Sequence, residues 1–161
     1  MNLLDKASML KTVLADRGIT VGFAESLTGG LISATLVSVP GASEIFKGSI
    51  VSYANEVKMN VLGVEPEVIN TVGPVSEECA IQMASGVRSK INCDIAVSVT
   101  GVAGPDGGTE EKPVGTVYIG FASADKKYSR RFQIIGQNRD EIRNNTVSEA
   151  FNLIMEELSA L

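Results

Sequence analysis

Between Val21 and Gly30 the chain reads Val-Gly-Phe-Ala-Glu-Ser-Leu-Thr-Gly-Gly, an apolar run that stops at a polar knot and turns at once into a helix. Few folds accept such a transition except α/β ones, where a buried strand delivers the chain to a helix N-terminus. Thr28 is placed to act as the helix cap, two glycines open the helix, and Leu31, Ile32 and Ala34 begin its apolar stripe. Unpaired backbone N–H groups at the positive end of a helix welcome an anion or a developing oxyanion. Ser26, in the middle of the knot, is therefore a candidate nucleophile. A plain turn serine is the competing reading.

The chain has no histidine. A Ser-His-Asp triad, a histidine-activated cysteine and a histidine-ligated zinc are thereby excluded, and a lysine, tyrosine or carboxylate must take the serine proton. The two cysteines, Cys79 and Cys93, are far apart in sequence and have no C-x-x-C spacing. They suit a reducing, cytoplasmic setting, and no soft metal site is expected. A net charge of −5 and an aromatic content of 5% without tryptophan argue against nucleic acid and anionic membranes as partners. Leu3, Leu4, Ala7, Leu10 and Leu14 alternate with Asp5, Lys6 and Lys11, as in an amphipathic helix and unlike a signal peptide. No stretch approaches the ~20 apolar residues that span a bilayer. At 161 residues, one domain over 1–161 is expected.

The remaining pattern alternates helices and strands. It predicts a helix over 3–16, a strand over 20–24, a helix from Gly30 to Val37, a strand over 48–53 and a helix over 55–62 capped by Asn55. A connection rich in Pro and Gly follows to Val75. Ser76 then caps a helix faced by Ala80, Met83, Ala84, Val87 and Ile91. A strand over 95–99, a hairpin over 115–122 and 128–134, and a last helix over 139–158 complete the chain.

Two further clusters can carry chemistry. Tyr53-Ala54-Asn55-Glu56-Val57-Lys58 stands at the C-terminal edge of a strand, where open α/β sheets bind ligands, and Lys58 lies one helical turn from that mouth. A solvated surface lysine is the alternative. The stretch from Thr100 to Pro113 holds four glycines and two prolines and offers unobstructed N–H groups to an anionic or planar ligand. It matches neither the dinucleotide fingerprint nor the P-loop, which argues against a phosphotransferase. On the last helix Arg139 and Arg143 share a face, either as a phosphate clamp or as partners of Asp140 and Glu141.

The blocks Ala24–Gly30, Ser52–Lys58, Leu62–Val64, Val75–Glu78, Thr100–Gly108, Glu110–Val117 and Arg139–Asp140, in this order, resemble the CinA carboxy-terminal domain family, the nicotinamide-nucleotide amidohydrolases. The resemblance runs over nearly the whole chain. It implies a three-layer α/β/α domain with a mixed, mostly parallel sheet. It also implies hydrolysis of the carboxamide of nicotinamide mononucleotide to the acid and ammonia, a step of NAD salvage, without metal or cofactor. The family's serine, tyrosine and lysine fall on Ser26, Tyr53 and Lys58. On this reading neutral Lys58 removes the Ser26 proton and Tyr53 relays it to departing ammonia. Substrate contacts are expected at Glu25, Thr28, Gly29, Gly30, Thr100, Gly101, Gly104, Gly107 and Arg139. Arg139 would hold the phosphate, and Glu25 would offset the pyridinium charge. Leu27 stands where the family usually has cysteine, and Pro74 where it usually has alanine. Many relatives carry an additional N-terminal domain, and a homo-oligomer is expected. The rival expectation is a nucleotide-binding, regulatory domain without turnover.

Overall fold

The computed structural model describes residues 1–160. In chain order they form α1 (Leu3–Arg17), β1 (Val21–Glu25), α2 (Leu31–Val37), a 3-10 turn (Ala42–Glu44), β2 (Phe46–Val51), α3 (Asn55–Asn60) and α4 (Pro66–Thr71). These are followed by α5 (Glu77–Ile91), β3 (Ile95–Gly101), β4 (Thr116–Ala122), β5 (Lys127–Gln133) and α6 (Arg139–Ser159). The long helices are capped by short polar side chains. Asn2 accepts the Asp5 N–H, Ser76 that of Cys79, and Asn138 that of Glu141. Each satisfies an N–H that has no partner within its helix. The Ser76 cap is the expected one. Asn55 instead lies inside α3, whose cap position is Ala54. Proline opens α4, where its missing N–H costs nothing.

The sheet order is β2-β1-β3-β4-β5. β1 lies between β2 and β3 and is parallel to both, whereas β4 and β5 continue antiparallel. The sheet is thus mixed, as expected, with parallel and antiparallel pairings equal in number. The cause is local: Ser123 N–H donates to Lys126 O at 2.8 Å and closes the β4–β5 hairpin in a tight turn. Parallel neighbours need a crossover helix instead.

The two faces of the sheet carry side chains of different size. Val21, Phe23, Val97, Val99, Val117, Ile119 and Phe121 point to one face and pack with α1, α2 and α6 in the larger core. The strand period of two sends Gly22, Ala24, Ala96, Ser98 and Gly120 to the other face, under α5. That helix therefore lies very close to the strands. A Cβ at Gly120 would collide with the Ala80 carbonyl, and Ser98 Oγ donates to that same oxygen at 2.5 Å.

The chain passes from β1 to β2 through α2 on the first face. It returns from β2 to β3 through α3, α4 and α5, with α4 packed on α5 on the second. These opposed crossovers make the C-terminal ends of β1 and β3 a switch point, where the loops diverge and leave a crevice. The residues after β1, β2 and β3 are the Ser26 knot, the Tyr53–Lys58 segment and the glycine-rich loop.

Candidate active site

Ser26 is the first residue beyond β1. Its N–H still donates to Val99 O at 3.1 Å, so the sheet fixes its backbone. Lys58 enters from the first turn of α3, where its N–H donates to Ala54 O. Its side chain runs inward and leaves the residue only 2% exposed. Nζ lies 3.1 Å from Ser26 Oγ, 2.7 Å from Ser52 O and 2.9 Å from Tyr53 O. Lys58 forms no salt bridge among the described residues.

This environment selects the neutral amine. Burial without a counter-ion lowers the Lys58 pKa from 10.5, because the charged form loses its hydration. A thiolate at Cys79 would oppose that shift, but burial pushes the thiol up to about 11 and keeps it neutral near pH 7. A neutral amine has two N–H donors and one lone pair. The Ser52 and Tyr53 carbonyls can take the two donors, which leaves the lone pair for the Ser26 hydroxyl proton.

Glu25 explains the turn that follows. It is wholly buried, and five donors surround its carboxylate. Oε1 accepts from Thr28 Oγ1 at 2.7 Å, Gly30 N at 3.2 Å and Ile32 N at 3.0 Å. Oε2 accepts from Ser33 N at 3.1 Å and Ser33 Oγ at 2.6 Å. The carboxylate, and not Thr28, therefore caps α2, with the positive helix end in its favour. Gly30 occupies the cap position at φ 100°, which glycine adopts without strain.

The anion site read from the sequence thus exists but is filled by the protein's own carboxylate. Glu25, Thr28, Gly29 and Gly30 do not line the cleft beside Ser26. Within the turn, Gly29 N–H donates to Ser26 O at 3.0 Å and Leu31 N–H to Thr28 O at 3.0 Å. Only the N–H groups of Leu27 and Thr28 have no partner among the described residues.

The cleft itself holds ≈ 270 Å³, just below the ~300–1,000 Å³ usual for small-molecule sites. Ser26, Tyr53, Lys58, Thr100, Gly101, Gly104, Gly107 and Arg139 line it together with Leu27, Asn55, Pro74 and Asp106. Thr100 is buried and its Oγ1 donates to Pro74 O at 2.8 Å. Lys112 ties the glycine-rich loop to the opposite wall by donating to Val72 O and Val75 O. The Tyr53 ring is 62% exposed at the mouth, and its hydroxyl accepts from Arg139 Nη2 at 3.1 Å. Arg139 Nη1 donates to Gly104 O at 2.8 Å, so this arginine bridges two walls.

The structure separates the two arginines of α6. Arg139 faces the cleft, whereas Arg143 donates from Nε to Leu27 O at 2.9 Å and from Nη2 to Thr28 O at 3.0 Å. Neither expectation for the pair foresaw that contact, which joins residues far apart in sequence. Asn55 and Asp106 were also not singled out. The position of each within a polar cluster was their one sequence signal.

A model of the CinA C-terminal domain matches residues 4–158. A CinA-like protein of Fervidobacterium nodosum is 47% identical over 88% of this chain and 35% of its own length. The chain spans about a third of the length of the curated relatives it matches. The crystal structure of competence/damage inducible protein CihA from Agrobacterium tumefaciens superposes with TM-score 0.93 at 35% identity, covering 98% of this chain and 95% of that one. A CinA superfamily protein from Klebsiella pneumoniae superposes with TM-score 0.95 at 28% identity, covering 100% of both.

Proposed function

The chain belongs to the CinA C-terminal domain family, and on that premise we propose that it hydrolyses the carboxamide of nicotinamide mononucleotide to nicotinic acid mononucleotide and ammonia. The observation that carries the reading is the Lys58 amine, buried without a counter-ion 3.1 Å from Ser26 Oγ. A lysine placed that way is a base for a hydroxyl, not a surface charge.

Ser26 Oγ attacks the amide carbon as Lys58 Nζ takes the hydroxyl proton. The oxyanion of the tetrahedral adduct lies against the Leu27 and Thr28 N–H groups. The C–N bond then breaks, and the departing nitrogen takes a proton from the Lys58 ammonium to leave as ammonia. Water enters, Lys58 takes its proton, and the acyl-enzyme is hydrolysed to the carboxylic acid. A relay through Tyr53 requires its hydroxyl to leave Arg139 and swing inward.

Arg139 offers its guanidinium to the phosphate at the mouth, and the glycine-rich loop from Gly101 to Gly107 covers the ribose. Asp106, a carboxylate in the cleft wall, takes the part of facing the pyridinium that Glu25, fully engaged in capping α2, does not. The Leu27 side chain packs in the core, so its substitution for cysteine leaves the backbone N–H available.

Mass spectrometry of the protein incubated with nicotinamide mononucleotide, paired with ammonia detection, tests the reading. Ser26→Ala should fold and release no ammonia. Substantial turnover by that variant would remove the serine mechanism, and binding by the unaltered protein without turnover would favour a regulatory domain. A cytoplasmic location and self-association belong to the same proposal. The two free, buried cysteines suit a reducing compartment, and no helix among the described residues is long and apolar enough to cross a membrane. Light scattering tests self-association, which a monomer across micromolar concentrations would refute.

A further inference from the structure

The two unpaired N–H groups of the Ser26 turn belong to peptide units whose carbonyl oxygens are both held. In a planar trans peptide the N–H points opposite to the C=O. Fixing the oxygen therefore aims the hydrogen. The unit that carries the Leu27 N–H has Ser26 O at its other side, and that oxygen accepts from Gly29 N–H at 3.0 Å. The unit that carries the Thr28 N–H has Leu27 O at its other side, and that oxygen accepts from Arg143 Nε at 2.9 Å. A second nitrogen of the same guanidinium donates to Thr28 O at 3.0 Å.

We propose that Arg143 is a positioning residue that orients and polarises the Leu27–Thr28 peptide so that the Thr28 N–H serves as an oxyanion donor. This rests on the Ser26 amidase reading. Three observations support it. First, the guanidinium fork is rigid, so two bonds to consecutive carbonyls set the turn's orientation more sharply than a flexible ammonium could. Second, a cationic donor on a carbonyl oxygen draws electron density through the amide and makes the N–H a better donor. Third, Arg143 has little else to do: its ion pair is a 3.7 Å contact with Asp140, whose side chain is 86% exposed, and such pairs contribute little. Nothing else among the described residues holds Leu27 O.

Arg143 does not line the cleft, so its removal should act on the transition state and spare substrate binding. The test uses the full chain and three variants, Arg143→Met, Arg143→Lys and Arg143→Ala, each normalised to the folded fraction measured by urea denaturation. Arg143→Met should lower kcat by about 10- to 100-fold, somewhat less than outright loss of an oxyanion donor, with KM changed by less than about twofold. Arg143→Lys should fall between Met and wild type, and millimolar guanidinium ion should restore part of the rate to Arg143→Ala.

The second readout needs no amide substrate. A fluorophosphonate forms an Oγ–P bond at Ser26 and expels fluoride, with the serine proton passing to Lys58, and its phosphoryl oxygen occupies the oxyanion position. Its labelling rate should fall in parallel with kcat. Labelling of wild type without ammonia release would overturn the substrate assignment alone, and the labelling series would still decide the role of Arg143. Undiminished labelling and kcat per folded molecule in Arg143→Met, or a loss confined to KM, would overturn the proposal. Wild type that neither labels nor hydrolyses would overturn both readings together.

Discussion

Lys58 brings together most of the chemistry at the residue scale. Arginine at this position stays protonated and cannot accept the serine proton, so Lys58→Arg should lower kcat by roughly 10²-fold or more, the usual range for losing a general base. Near wild-type turnover would leave only a charge role for the lysine. The acid limb of the rate profile should report the same group. Since burial holds the folded pKa below 10.5, kcat/KM should rise with pH as Lys58 loses its proton and level off before free lysine would. Stability follows the same shift. Between the lowered pKa and 10.5 the unfolded chain binds more protons than the folded one, so folding gains with pH across that window. Urea unfolding at neutral pH and near pH 10 should show the stability gap between wild type and Lys58→Met shifting in favour of wild type at the higher pH. An unchanged gap would mean that Lys58 is protonated in both states.

At the element scale the decisive pair is β1 and α2, joined by Glu25. A strand can end in a wholly buried glutamate only because the next helix supplies the donors: three backbone N–H groups and two hydroxyls converge on it. Glu25→Ala strands these donors inside the protein, and each unmet buried donor costs about 1–3 kcal/mol. A total loss of about 3 kcal/mol or more in urea unfolding is expected, with turnover lost as the turn relaxes. Glu25→Gln keeps one acceptor oxygen and the shape, and should cost distinctly less. Equal losses would show that carboxylate charge, and not acceptor geometry, holds the turn.

The whole molecule sets how an acidic protein, with net charge −5, admits a phosphorylated substrate. A local donor must offset the general field, and Arg139 is the guanidinium in the cleft wall. Binding energy from a remote phosphate also orients the reacting amide. Activity should therefore fall in the order mononucleotide, riboside, free nicotinamide, and Arg139→Ala should reduce kcat/KM far more for the mononucleotide than for the riboside. Equal losses on both substrates would show that Arg139 does not read the phosphate.

Local chemistry made much of this legible in the sequence. Apolar periodicity placed the strands and long helices, because burial on one face repeats with the geometry of each element. Ser76 read correctly as a cap, since its acceptor reaches a donor three residues on. Ser26, Lys58 and the glycine-rich loop stood out by their positions at element ends. What the sequence left open depended on contacts between distant segments. Thr28 looked like the cap of α2 because it is the nearest hydroxyl, yet the fold fills that helix end with Glu25 and makes Thr28 one of its donors. Arg139 and Arg143 share a face in sequence, but only the approach of α6 to the Ser26 turn sends one to the cleft and the other to two carbonyls. Tertiary structure likewise decided that Lys58 is buried and not solvated, for its surroundings come from β1, from the end of β2 and from Cys79 on α5. Local sequence determines which atoms can donate or accept; the packing of remote elements determines which of them meet and which lose their water.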